Sequence, residues 1–174
     1  MPGPRLQKAE QTATEVLKRW HVESPPVPVD DLAKCEGLSL RSEMLEDDVS
    51  AMLVLAPESQ PVIVVNSSHH QHRRRFSIAH EIGHFALHSG KSTLFVEFRD
   101  ARAAMAIDPK EIEANAFAAA LLMPRRLLRV DLRHPRFRSL DVQAVTALAR
   151  RYEVSEQAMK FRLVNLGIVA GFED

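Results

Sequence analysis

The sequence predicts an α+β fold in which a small antiparallel sheet packs on a bundle of helices. Apolar residues recur with a helical period in Arg5–Trp20, Asp141–Tyr152 and Ser155–Leu166. Ser50–Ala56 and Pro61–Asn66 are short apolar runs on either side of a Pro-Glu-Ser-Gln turn, a pattern typical of a β-hairpin. Because the strand signals cluster in one part of the chain and helical signals fill the rest, we expect one sheet beside several helices.

Length and composition predict a single domain. The chain has 174 residues and 45% of them are hydrophobic, which is enough for one ordinary core. We therefore expect residues 1–174 to form one domain. Its predicted parts include an N-terminal helix with a proline elbow in 1–28 and a C-terminal helical pair in 141–174. The elbow, Pro25-Pro26-Val27-Pro28, is too stiff and short to act as a flexible linker.

Charge and cysteine content bound the possible partners and the compartment. The formal net charge is zero, which favours neither nucleic acids nor acidic membranes as partners. The single cysteine, Cys35, cannot form an internal disulfide and fits a reducing environment. The sequence shows neither a signal peptide nor an apolar run of about 20 residues. We expect a cytoplasmic, soluble protein without a membrane partner.

Shorter elements are predicted around the hairpin. Asp30 can cap a short helix that stops at Gly37, and Leu38–Leu40 is predicted to be a further strand. Ser92–Phe98 is expected to be a strand or a loop. The basic run His69–Arg75 is expected to be a solvated turn leading into the next helix, with phosphate or metal binding as the alternative.

The segment Arg75–His88 contains His80, Glu81 and His84 in the pattern H-E-x-x-H. Residues four apart lie on the same face of a helix, so the two imidazoles can bind one ion. This is the pattern of zinc peptidases, in which the glutamate takes a proton from the attacking water. The alternative is a purely structural cluster. Since the flanking residues are mostly apolar, the helix is predicted to be buried, and buried imidazoles favour the metal site.

His88 continues the same helical stripe but cannot bind the same ion as His80. Eight residues of helix separate the two by about 12 Å, whereas zinc lies about 2.0–2.1 Å from a histidine nitrogen. The third ligand must therefore come from another segment. We expect His88 to support the site from beside it, to contact substrate, or to be a cation at the end of its helix.

A second helix is predicted to supply the third ligand. Asp108 fits the N-cap, and Glu111 fits the third position of a capping box. Glu113 has no such structural role and opens a run of residues, 114–123, without a charge. We expect Glu113 to be the third ligand, with Glu111 as ligand or a surface salt bridge of Glu113 as alternatives. Asn115 is expected to orient a ligand or to be an ordinary helix amide.

The C-terminal pair has the rhythm of a helix-turn-helix DNA reader. Its second helix, however, offers the side chains of Glu156, Gln157, Lys160 and Arg162. Because only two of these are basic, the basic face is thin. We therefore expect this pair to pack under the metal-binding helices, and direct binding of nucleic acid is not expected.

With these residues identified, the chain resembles the ImmA/IrrE family of bacterial zinc metallopeptidases. The resemblance extends along most of the chain, from the proline elbow to the C-terminus. Its marks are the run from Arg74 to His84, the run from Glu113 to Ala119 that ends at Met123-Pro124, and Val154-Ser155, Gln157-Ala158-Met159 and Arg162-Leu163.

The resemblance implies a zincin-like minimal metallopeptidase with one zinc ion bound by His80, His84 and Glu113. It implies that Glu81 is the general base and then the general acid. Candidate oxyanion donors are Tyr152, His88 and His72.

The resemblance also implies a substrate and a role. Similar proteins cleave helix-turn-helix repressors of the phage type, which links them to transcription regulation and stress response. Two alternatives stay open: a non-cleaving repressor-binding module of a toxin–antitoxin-like pair, and a DNA-binding regulator using the C-terminal helical pair. We expect the chain to lack the additional sensor domain that some relatives carry.

Overall fold

The computed structural model describes residues 3–89, 95–99, 108–137 and 139–169. Within these ranges the chain forms a small sheet beside seven α-helices, which confirms the predicted α+β class. The helices are α1 (Leu6–Arg19), α2 (Val29–Cys35), α3 (Gln71–His88), α4 (Pro109–Leu122), α5 (Arg125–Asp131), α6 (Val142–Tyr152) and α7 (Glu156–Asn165). The strands are β1 (Ser39–Glu43), β2 (Ala51–Leu55), β3 (Val62–Asn66) and β4 (Phe95–Arg99).

The sheet has the order β1-β3-β2-β4 and is mixed. β2 and β3 form the predicted antiparallel hairpin, and β4 pairs antiparallel with the other side of β2. The expectation of a wholly antiparallel sheet is wrong for β1, which pairs parallel with β3. The hairpin occupies the middle of the sheet. β1 lies outside β3 and runs in the same direction as β3. β4 lies in the segment predicted as a strand or a loop, whose residues 92–94 fall outside the described ranges.

The sheet positions the start of α3. Buried and half-buried residues alternate along β2, and both hairpin strands contact α3. Asn66, fully buried at the end of β3, donates from Nδ2 to the main-chain oxygens of Glu46 and Val49 at 3.0 and 2.8 Å. Its Oδ1 accepts from the main-chain N–H of Ser68 at 3.1 Å. These bonds hold the loop before β2 against the turn that leads into α3.

α3 begins earlier than expected. The basic run is helical from Gln71 onward rather than a turn, because His70 provides the N-cap and accepts from the main-chain N–H of His72. The guanidinium of Arg75 then donates to the carbonyl oxygens of Val27 and Glu153 at 2.8 and 3.2 Å. α3 is thereby attached to the proline elbow and to the turn between α6 and α7.

The short helix α2 also begins before the expected cap. Pro28 occupies the N-cap position and Asp30 lies inside the first turn. The predicted end at Gly37 is confirmed, since this glycine has a φ of 84°, in the left-handed region that ends many helices.

α3 and α4 pack closely and run antiparallel. At their contact, Gly83 faces Phe117, and a β-carbon at position 83 would lie 3.0–3.2 Å from three carbon atoms of that side chain. Ala79, Ala114 and Ala118 are also fully buried. Small residues let the two helices approach, which brings polar side chains on each helix within bonding distance of the other.

The C-terminal pair α6 and α7 belongs to the packed core. Asp141 caps α6 by accepting from the N–H of Ala144, and Ser155 caps α7 by accepting from that of Ala158. Buried residues of α6 and α7 join the same hydrophobic cluster as those of α1 and α4. Among the described residues, no helix combines the length and the hydropathy needed to span a membrane.

Candidate metal centre

Three donor side chains from α3 and α4 meet at one point. His80 and His84 project from α3 with their Nε2 atoms 2.8 Å apart. Glu111, on the first turn of α4, places Oε1 3.0 Å from Nε2 of His84 and Oε2 3.2 Å from Nε2 of His80. All three residues are buried. Within the described ranges, these three residues form a group of histidine and acidic side chains whose ligand atoms lie close enough together to hold one metal ion.

The dimensions of this cluster fit a zinc ion. Zinc with ligands at about 2.0–2.1 Å in tetrahedral geometry has neighbouring ligand atoms about 3.3 Å apart. The three separations, 2.8, 3.0 and 3.2 Å, are close to that value. Two imidazoles and one carboxylate are also the donor set of catalytic zinc sites that keep a further position for water or substrate.

The amide of Asn115 orients one of the two imidazoles. Its Oδ1 lies 3.0 Å from Nδ1 of His80, so an N–H at Nδ1 donates to the amide oxygen. The lone pair at Nε2 of His80 then points to the cluster, as a metal ligand requires.

Glu113, the carboxylate expected as third ligand, has different partners. Its carboxylate accepts from the main-chain N–H, Nε and Nη2 of Arg5 at 2.8–3.0 Å. Oε2 also lies 3.7 Å from Nε2 of His88. The structure therefore brings Glu111 rather than Glu113 to the imidazoles of His80 and His84. Two residues along a helix rotate a side chain by about 200°, so both carboxylates cannot face the same point.

Glu111 also departs from its expected capping role. Asp108 caps α4 as predicted and accepts from the main-chain N–H of Lys110 at 2.9 Å. The carboxylate of Glu111 points to the histidines instead. Burial favours a higher pKa for Glu111, but hydrogen bonds and charge from His80 and His84 outweigh burial and hold the pKa far below its ordinary value. Glu111 is therefore ionised, as a ligand to a cation must be.

Glu81, the predicted catalytic residue, is completely buried next to His80 on α3. A buried carboxylate requires a compensating polar or ionic environment. Glu81 follows His80 directly in sequence, so its carboxylate is held on the helix that carries both imidazoles.

The three predicted oxyanion donors lie in different places. Tyr152 is fully buried, its hydroxyl donates to Asp131 at 2.8 Å, and burial together with that bond raises its pKa. His72 lies about 12 Å along α3 from His80. His88 is one turn beyond His84, and its pKa is lowered by burial and by the proximity of His84. Along α3, His88 lies nearer to the cluster than His72 does.

A family model matches most of this chain. The model for peptidase M78, described as the IrrE N-terminal-like domain, matches residues 33–164. The chain belongs to this family. The matched region contains α3 and α4, and therefore the complete cluster of His80, His84 and Glu111.

Two curated relatives and one solved structure are similar to the chain. Radiation response metalloprotease IrrE of Deinococcus radiodurans is 36% identical over 103 residues, which are 59% of this chain and 30% of that protein. Uncharacterized immunity region protein 2 of Bacillus phage phi105 is 42% identical over 62 residues, 36% of this chain and 37% of the relative. The chain thus spans about a third of the length of these relatives.

The solved structure supports the fold. A Mycobacterium tuberculosis transcriptional regulator superposes with a TM-score of 0.63 and covers 91% of this chain, at 18% identity. The chain covers 46% of that structure. At this identity the likeness extends to the arrangement of helices and strands.

The two acidic residues of α4 have other neighbours than their sequence positions predict, for an identifiable reason. Glu111 occupied a position that a capping box explains, and Glu113 stood at the entrance of an apolar run. One signal was available in the sequence: residues 114–123 carry no charge on any side of the helix. This pattern predicts that the carboxylates at the start of the helix are both buried. The partner of Glu113, Arg5, is 108 residues away in sequence and left no local signal.

Proposed function

We propose that this chain is a zinc-dependent endopeptidase whose substrate is a helix-turn-helix transcriptional repressor of the phage type. The convergence of His80, His84 and Glu111 beside the buried Glu81 carries the proposal. Membership of the peptidase M78 family supports a metallopeptidase. Zinc is the metal that best suits two imidazoles and one carboxylate at these separations.

His80, His84 and Glu111 would hold the ion. When bound there, zinc supplies Lewis acidity, which lowers the pKa of water and polarises a carbonyl. Glu81 takes a proton from the attacking water and later delivers it to the nitrogen of the departing amine. Its complete burial keeps bulk water away from this proton transfer.

Asn115 and Glu111 prepare the site in different ways. The bond from Nδ1 of His80 to Asn115 selects the tautomer whose Nε2 can bind a metal. The carboxylate of Glu111 adds the negative charge that two neutral imidazoles lack.

The proposed substrate rests on the chain's relatives. One relative is named for a phage immunity region, and another is a metalloprotease named for the radiation response. A repressor is a protein whose cleavage couples proteolysis to a change in transcription, which both descriptions fit.

The decisive experiment incubates the zinc-loaded protein with a candidate helix-turn-helix repressor of the phage type and follows cleavage by mass spectrometry. We expect a defined cut that requires zinc. Glu81→Gln should retain zinc, measured by elemental analysis, and lose cleavage by about 10²–10⁴-fold. Undiminished proteolysis by Glu81→Gln would exclude this mechanism.

The same experiment separates the non-cleaving alternative. A module that only binds the repressor would form a stable complex with wild-type protein and leave the repressor intact at every zinc concentration. We instead expect the intact complex to persist with Glu81→Gln and to disappear with wild-type protein.

A further inference from the structure

A groove lies on the same helical seam as the metal centre. It has a volume of about 690 Å³ and is bounded by α3, the end of α4, and α7. Its principal lining side chains are His72, Phe76, Ala119, Met123, Ala158 and Phe161.

The groove continues the row of residues that forms the metal centre. On α3, Phe76 lies one turn before His80, and on α4, Ala119 lies one turn after Asn115. Since His80 and Asn115 are 3.0 Å apart across antiparallel helices, their neighbours one turn away face each other along the same seam. The groove therefore starts about 6 Å from His80 and reaches about 12 Å from it at His72.

The lining combines apolar and polar groups. Phe161 is 62% exposed at the rim, which is unusual for a large aromatic side chain. Nearby, Arg73 is positioned by donating from Nε and Nη2 to Oγ of the buried Ser50 at 3.1 and 2.8 Å. The amides of Gln157 and Asn165 also line the groove. Apolar walls with hydrogen-bonding groups at the edges match a peptide, whose side chains are apolar or polar but whose main chain always needs partners.

We propose that this groove binds a bulky apolar side chain of the peptide substrate, and that Phe161 is a specificity-determining residue. The inference rests on the proposed peptidase function and names a property of its substrate. An extended peptide advances about 3.3 Å per residue. The selected side chain should therefore lie about two to four residues from the scissile bond, given distances of about 6 to 12 Å along α3.

The test uses short serine-glycine peptides that carry a hydroxamate as the metal-binding group. One series has the hydroxamate at the carboxyl end and the other at the amino end, and each member carries a single leucine at a different distance from it. Affinity for zinc-loaded protein is measured by calorimetry. In one of the two series, we expect leucine two to four residues from the hydroxamate to strengthen binding about tenfold.

Variants at the rim assign the effect to the groove. Phe161→Asp should abolish the leucine preference without changing the zinc content. Phe161→Leu should retain the preference. The matched control is Val142→Asp, an equivalent change at a residue that is 69% exposed on α6, outside the groove. It should retain the preference as well.

The other outcomes are distinct. If the peptides bind but leucine has no positional effect, or Phe161→Asp leaves the effect intact, the groove proposal is wrong and the proposed peptidase is unaffected. If no hydroxamate peptide binds to protein with zinc present, the proposed function itself fails. If Phe161→Asp only converts a dimer to a monomer in sedimentation, the groove is a self-association surface and the proposal is overturned.

Discussion

At the scale of single residues, the centre depends on which acidic side chain of α4 reaches the imidazoles of His80 and His84. Glu111 approaches both Nε2 atoms, whereas Glu113 forms three hydrogen bonds with Arg5. The two glutamates thus have separate roles: one is poised to bind a cation and the other attaches the N-terminal segment to α4.

The paired substitutions Glu111→Gln and Glu113→Gln test this division. We expect Glu111→Gln to weaken zinc binding by more than the about 10–100-fold typical of losing a residue that only supports a ligand. Glu113→Gln makes the same chemical change on the same helix and should retain zinc. Chelator competition measures both affinities. If Glu113→Gln lost zinc and Glu111→Gln retained it, the result would instead support Glu113 as the third ligand, as expected from the sequence.

A second prediction concerns the tautomer of His80. Asn115→Ala removes the oxygen that accepts from Nδ1 and should lower zinc affinity by about 10–100-fold. Asn115→Asp keeps an acceptor at the same place and should bind zinc nearly as tightly as the wild type does. Equal affinity of the alanine variant and the wild type in chelator competition would show that the amide has no such role.

At the scale of elements, the centre exists because α3 and α4 approach closely. The seam contains small residues, and Gly83 faces the side chain of Phe117 with no room for another carbon atom. The ligands come from both helices, so their separation sets the size of the centre.

Gly83→Ala tests this packing. An added methyl group in a filled core costs about 1–3 kcal/mol, and the better helix propensity of alanine returns about 1 kcal/mol at most. We expect lower stability in urea unfolding and weaker zinc binding, because α4 must shift away from α3. Ala86→Ser, on the exposed side of α3, is the control and should change neither quantity. Unaltered zinc affinity of Gly83→Ala would argue that the helices can adjust without moving the ligands.

At the scale of the whole molecule, charged contacts between distant segments hold α4 in place. Arg162 on α7 is 5% exposed and donates from Nη1 and Nη2 to Glu10 on α1 at 2.8 and 2.7 Å. Its Nε donates to the carbonyl oxygen of Met123, just after α4. One guanidinium thus joins α1, α4 and α7, and this role leaves Arg162 unsuited to contact DNA.

Arg162→Met should lower the free energy of unfolding by about 1–3 kcal/mol, because the buried oxygen of Met123 loses its donor and Glu10 loses its partner. Urea denaturation measures the change. The control, Arg129→Met, alters an exposed arginine of α5 and should stay within about 0.5 kcal/mol of wild type. A similar stability of both variants would mean that the contact among the three helices contributes little.

Local patterns were sufficient for several predictions. The hairpin, the cap at Asp108, and the helix carrying His80 and His84 follow from residues near one another in sequence. Hydrogen bonds from a cap to the next turn, and side chains four apart on one helix face, involve only local geometry. The expectation of a single domain remains a prediction.

The sequence by itself determined that two imidazoles and a glutamate would share one buried helix, because that depends only on helical spacing and apolar flanks. Only the tertiary structure decided which carboxylate meets them, because Glu113 pairs with Arg5, 108 positions away in sequence, while Glu111 reaches Nε2 of both histidines. It also decided the parallel pairing of β1 and the groove beside the centre. Contacts between remote segments depend on the relative placement of whole elements, which no local pattern of residues specifies.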